Sequence, residues 1–66
     1  MSYTVRKWAI RECNRTKGNI DWAGSHLQEV INVYKQDYPE QSAWLEQAQE
    51  CLLLAIEGIN LFINWL

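Results

Sequence analysis

The chain has 66 residues, of which 48% are apolar and four are tryptophan, and its net charge of −2 combines +4 over residues 1–18 with −6 over residues 19–66. A chain below about 70–80 residues rarely gains more than about 3–5 kcal/mol from one core, so this is at most one small domain and no enzyme with a large preformed pocket. The apolar content excludes intrinsic disorder, and it exceeds what a three-turn core needs, which points to self-association or a partner.

The first predicted element is an amphipathic helix over about residues 4–16. Val5, Ala9 and Cys13 recur every four residues, with Lys7, Arg11 and Arg15 on the opposite side, Trp8 at the border and Ile10 at the other flank. The stretch is also rich in Tyr, Thr, Val, Trp and Ile, so a strand over residues 4–12 is the competing reading. Alternation argues against it, because Val5, Lys7, Ala9 and Arg11 would share one face. Lys7, Trp8, Arg11 and Arg15 form the candidate ligand-binding set. They combine cations with a stacking surface, which is how phosphates and bases are commonly held. The competing readings are a solvated helix face that helps solubility and a basic segment that pairs with the acidic helices of its own fold. Arg6 and Lys17 would add long-range attraction.

Gly18, in Lys17-Gly18-Asn19, is read as the break before a second helix over about residues 21–37, with Asp21 capping its first amides. Ala23, Leu27, Val30 and Tyr34 give its apolar stripe, Tyr38 extends it, and Ile31 and Val33 widen it. Gly24 costs about 1 kcal/mol relative to Ala unless a neighbouring backbone approaches it.

Pro39 suits the first turn of the third helix, set at about residues 42–66. Leu45, Ala48, Leu52, Ala55, Ile59, Phe62 and Leu66 alternate three and four apart, as a seam against a partner helix does. Trp44, Cys51, Gly58 and Trp65 make a second stripe at every seventh position, and Glu50, Glu57 and Asn64 a polar strip. A helix apolar nearly all round must be buried nearly all round. Two short helices hardly cover it, so a homo-oligomer is expected, with Trp44, Leu45, Leu52, Ile59, Phe62 and Trp65 at the interface. The predicted fold is all-α: an antiparallel helical hairpin crossed by a short basic N-terminal helix, assembled into a homo-oligomeric bundle.

No catalytic residue, cofactor or metal site is expected. His26 is the only histidine and reads as a surface or half-buried residue, and Glu46, Glu50 and Glu57 read as solvating groups. Cys13 and Cys51 match no metal spacing; two reduced, mostly buried thiols are expected, with one bridge as the alternative. Cys51–Leu66 holds 12 apolar residues of 16, short of the about 20 that a span needs, and Arg6 and Lys7 interrupt any apolar leader. The expectation is a cytoplasmic protein without a membrane segment.

The pattern Ser42-x-x-Leu45-x-x-Ala48-x-x-x-Leu52-x-x-Ala55-x-x-x-x-Asn60 resembles the second hairpin helix of small phage sponge proteins, which sequester cyclic oligonucleotide signals of bacterial anti-phage defence. The likeness spans about residues 20–62; the chain departs from it at Gly58, where an aromatic is commonly expected. It implies an oligomer of hairpins that binds a charged nucleotide at subunit boundaries, with Arg and Lys of the first helix on its phosphates. Thr4-Val5-Arg6-Lys7-Trp8 looks like the opening of a recognition helix in excisionase-type winged-helix proteins, although no wing sequence follows. The expected function is therefore non-enzymatic: a phage or mobile-element inhibitor or sponge of a host defence factor or nucleotide signal. The alternatives are a DNA- or RNA-binding accessory regulator and a purely structural assembly subunit.

Overall fold

The computed structural model describes residues 2–66, and among these the chain forms two helices and no strand. Helix α1 runs Tyr3–Tyr34 and helix α2 runs Pro39–Trp65. Residues 4–12 are helical, which decides against the strand. Ser2 caps α1, its Oγ accepting from the Val5 N–H at 3.2 Å. The helix then passes through Gly18 without a break, so the expected separate N-terminal helix and the Asp21 cap are both corrected. The reason lies in the spacing. Ile10, Cys13, Lys17, Ile20, Gly24, Leu27 and Ile31 alternate three and four apart across Gly18, and all are partly or fully buried. A continuous seam outweighs the cost of about 1 kcal/mol for one helical glycine. Thr16 and Ser25 return their hydroxyls to the carbonyls four residues back, Glu12 and Asp21.

A tight turn joins the helices. The Lys35 N–H donates to the Ile31 carbonyl and the Tyr38 N–H to the Tyr34 carbonyl, both at 2.8 Å. The first helix thus ends before the expected residue 37, and the second begins before 42. Pro39 occupies the first turn of α2 and Glu40 lies at its positive dipole end.

The two helices pack antiparallel along their whole length. The α2 side of the seam is Ser42, Leu45, Gln49, Leu52, Ile56, Ile59, Ile63 and Leu66. Labelled as heptads, Ile10, Lys17, Gly24 and Ile31 of α1 are a positions, and Arg6, Cys13, Ile20 and Leu27 are d. On α2, Ser42, Gln49, Ile56 and Ile63 are a; Leu45, Leu52, Ile59 and Leu66 are d. The predicted α2 seam is right at its d positions and displaced at the others, because Ala48, Ala55 and Phe62 are g positions on the flank. Ile56 and Ile63 bury more surface than alanines can. Gln49 is satisfied at its seam position, donating through Nε2 to the Gly24 carbonyl and to Gln28 Oε1, each at 3.1 Å. Gly24 is met by side chains rather than backbone, since a Cβ there would lie 4.0 Å from Leu52 Cδ1.

The same displacement affects α1, where Val5, Ala23, Val30 and Tyr34 prove exposed and Ile10, Ile20, Gly24 and Ile31 take the seam. Polar ties fasten both ends and the middle. Arg6 Nε donates to the Leu66 carbonyl at 2.8 Å, Lys17 Nζ to Asn60 Oδ1 at 2.9 Å, and Lys35 Nζ lies 3.3 Å from Glu46 Oε1.

The result is a rod of 53 × 15 × 11 Å, and its radius of gyration of 15.6 Å compares with about 11 Å for a compact chain of this length. Gly18 faces solvent, and a Cβ there would meet nothing within 4 Å. Gly18→Ala should therefore stabilise the protein by about 0.5–1 kcal/mol through helix propensity and the unfolded chain alone. A urea denaturation midpoint that falls on substitution would contradict the uninterrupted helix.

Candidate functional site

The predicted basic site lies on the surface of α1, with Trp8, Arg11 and Arg15 turned away from α2 and Lys7 on its flank, all of them exposed. Lys7 Nζ sits 5.5 Å from the centroid of the Tyr3 ring, a cation–π contact worth about 0.5–1 kcal/mol at an exposed site. Arg11 Nε and Arg15 Nη1 approach one carboxylate oxygen, Glu12 Oε1, at 3.8 and 3.5 Å. Ion pairs this exposed contribute about 0–1 kcal/mol, so they leave both guanidinium groups available. Tyr3, Lys7, Trp8 and Arg11 border a shallow depression of about 560 Å³; Arg15 lies outside it. The other two N-terminal cations are used differently from expectation, because Arg6 and Lys17 tie α1 to α2.

The predicted interface residues divide into two sets. Leu45, Leu52 and Ile59 are half-buried and hold the hairpin together. Trp44, Phe62 and Trp65 point outward, with Trp44 at 69% and Trp65 at 72% exposure. The Phe62 and Trp65 rings pack 5.7 Å apart as one aromatic knob. Cys13 lies half-buried in the seam, and Cys51 is exposed on the same outer stripe as Trp44, so both thiols are free and neither the bridge nor a buried Cys51 is present. His26 stands beside the Trp22 ring at 4.5 Å, edge to face, with Glu29 Oε2 3.8 Å from its Nδ1. Glu46 pairs with Lys35, whereas Glu50 and Glu57 face solvent.

A feature that the sequence reading missed lies at the turn. Val30, Tyr34, Tyr38, Gln41, Ser42 and Leu45 line an open pocket of about 340 Å³, with the two tyrosine rings 5.9 Å apart. Ser42 is only 2% exposed and its Oγ has no hydrogen-bond partner. The signal was in the sequence, because Ser42 starts the three-four spacing that ends at Leu66.

The polarity of the two long sides of the hairpin differs. In an antiparallel pair, e positions flank e positions and g positions flank g. The e side carries Lys7, Asn14, Asp21, Gln28 and Lys35 of α1 with Glu46, Leu53 and Asn60 of α2, and the Lys17, Gln28 and Lys35 ties to α2 all close on it. The g side carries Ala9, Thr16, Ala23 and Val30 with Ala48, Ala55 and Phe62, and no charge among them. Apolar a, d and g positions are the pattern of a helix in a bundle, whereas a and d alone suffice for a two-stranded coil.

Among the described residues no helix is long and apolar enough to cross a membrane, and no group of three or more His, Cys, Asp or Glu is placed to hold a metal ion. Comparison with protein families, with curated proteins and with solved structures gave no significant match, so the chain is assigned to no family.

Proposed function

We propose that this chain is a small non-enzymatic binding protein that acts stoichiometrically, with its apolar faces closing on helical protein surfaces, those of its own copies first. The observation that carries this reading is the imbalance of burial. Among the described residues Ile31 is the one buried apolar side chain, while fourteen large apolar side chains, including all four tryptophans, stay between 43% and 72% exposed. Large apolar side chains exposed in that number mark interaction surfaces. In the form that the sponge resemblance supplies, the protein is of phage or mobile-element origin and sequesters a host defence factor or a nucleotide signal. Stoichiometric capture needs a tight surface rather than a reactive group, in keeping with the side chains that the hairpin exposes.

A second reading is favoured by the basic end, where Lys7, Trp8 and Arg11 border one depression: binding of a nucleic acid or nucleotide through that surface. Salt separates the two readings, because phosphate contacts weaken steeply with ionic strength and apolar contacts do not. In sedimentation velocity, Lys7→Glu, Arg11→Glu and Arg15→Glu combined should leave self-association unchanged within a factor of about 3 between about 0.1 and about 1 M NaCl, since exposed charges shift stability by at most about 1 kcal/mol. Titration of the unmodified chain with a fluorescent single-stranded DNA gives the contrary result: tight binding that salt abolishes, by a chain that does not self-associate, would replace the first reading with the second.

A further inference from the structure

We infer that the g side of the hairpin is the docking surface for a second copy of this chain, set antiparallel about a two-fold axis near Ala55, so that two hairpins make one four-helix bundle. The inference rests on the binding reading above and names its first partner.

The face is self-complementary. At one end stands the knob of Phe62 and Trp65. At the other lies the open apolar pocket with the Tyr34 and Tyr38 rings at its edge and the buried, unpartnered Ser42 hydroxyl in its lining. A two-fold rotation at Ala55 brings each Trp65 to the level of the other copy's Leu45, on the rim of that pocket, and closes both contacts at once.

The stretch between knob and pocket is built for close approach. Ala48, Cys51, Ala55 and Gly58 alternate three and four apart, with Trp44 and Phe62 bounding them. With Ala55 opposite its own copy, Phe62 comes over the partner's Ala48, Gly58 over the partner's Cys51, and Trp65 beside the partner's Trp44. Large thus meets small at the first of these levels, two small residues allow close approach at the second, and two aromatics stack at the third. Gly58 suits the same close approach. A Cβ at that position would meet nothing within 4 Å in the single hairpin, so the hairpin itself gives no reason for a mid-helix glycine.

The areas agree. The chain exposes 5362 Å², about 1000 Å² more than the about 4400 Å² expected of a compact chain of 7.8 kDa. A standard interface removes about 800 Å² from each partner. The charged e side, which already spends its polar groups on ties between α1 and α2, remains outward.

The test is cysteine cross-linking with a sedimentation readout. In a Cys13→Ala, Cys51→Ala background, Ala55→Cys should form a covalent dimer on mild oxidation, because the two copies of position 55 meet at the axis within disulfide reach. Glu50→Cys in the same background, on the polar strip, should stay monomeric on denaturing gels. Gly58→Ala provides a check that does not depend on a disulfide: it should weaken the dimer by about tenfold or more by crowding the partner, although alanine favours the helix. An assembly that cross-links through position 50 rather than 55, or that Gly58→Ala strengthens, overturns this inference and leaves the binding reading standing. A chain that stays monomeric, folded and stable at micromolar concentration overturns both.

Discussion

Ile31→Ala will unfold most of the protein at low concentration and 25 °C. Ile31 is 1% exposed and is, among the described residues, the one apolar side chain that the hairpin encloses fully. It lies one turn before the end of α1, with the turn held at its own carbonyl by the Lys35 N–H. Truncating a buried isoleucine to alanine costs about 2–5 kcal/mol, and a chain of this size has about 3–5 kcal/mol in all. Far-UV circular dichroism during urea titration reads the effect directly. The matched control is Leu54→Ala, since Leu54 is 65% exposed on the far side of α2. It should move the midpoint little. A loss below about 1 kcal/mol at Ile31 would mean that the seam is not where the hairpin gains its stability.

Ala55→Arg will abolish assembly while sparing the helix. Arginine is nearly as good a helix former as alanine, and position 55 is exposed in the single hairpin, so the substitution has no intramolecular reason to destabilise. At a two-fold axis it would instead place two like charges against each other out of water, each desolvated at a cost of several kcal/mol. Self-association should fall at least about a thousandfold, because each 1.4 kcal/mol is tenfold in affinity. Glu50→Arg changes charge in the same sense on the polar strip and should leave association intact. Sedimentation equilibrium of the two variants side by side separates a face-specific effect from a general effect of charge; equal behaviour of both would contradict the assigned face.

The all-α hairpin, the short connection and Pro39 in the first turn of α2 were legible in the sequence because three-four apolar spacing and proline geometry are local signals. The break at Gly18 was a misreading of another local signal. A glycine weakens a helix by an amount that a seam of Ile10, Cys13, Ile20 and Leu27 on either side readily exceeds, and the continuity of that seam becomes visible only when α2 lies against it. The rotation of the predicted faces has a physical cause as well. In both helices the stripe was read too far toward the g positions, at Ala9, Ala23 and Val30 on α1 and at Ala48, Ala55 and Phe62 on α2. Hydrophobic periodicity sums every apolar contact that a helix will make, and it does not separate those within one chain from those between chains. The displacement toward one shared side therefore tracks the face left unpaired in the hairpin. The basic residues illustrate the opposite case. Composition grouped Arg6 and Lys17 with Lys7, Arg11 and Arg15, and only the fold separates cations that tie helices together from cations that face solvent.

The measurement that tests this account most directly is the concentration dependence of both mass and stability for the unmodified chain. Sedimentation equilibrium, paired with thermal denaturation over about a hundredfold range of concentration, gives both. The account predicts a mass of twice 7.8 kDa and a melting midpoint that rises with concentration, because folding is then coupled to association. A single species of 7.8 kDa whose midpoint is the same at every concentration would contradict it.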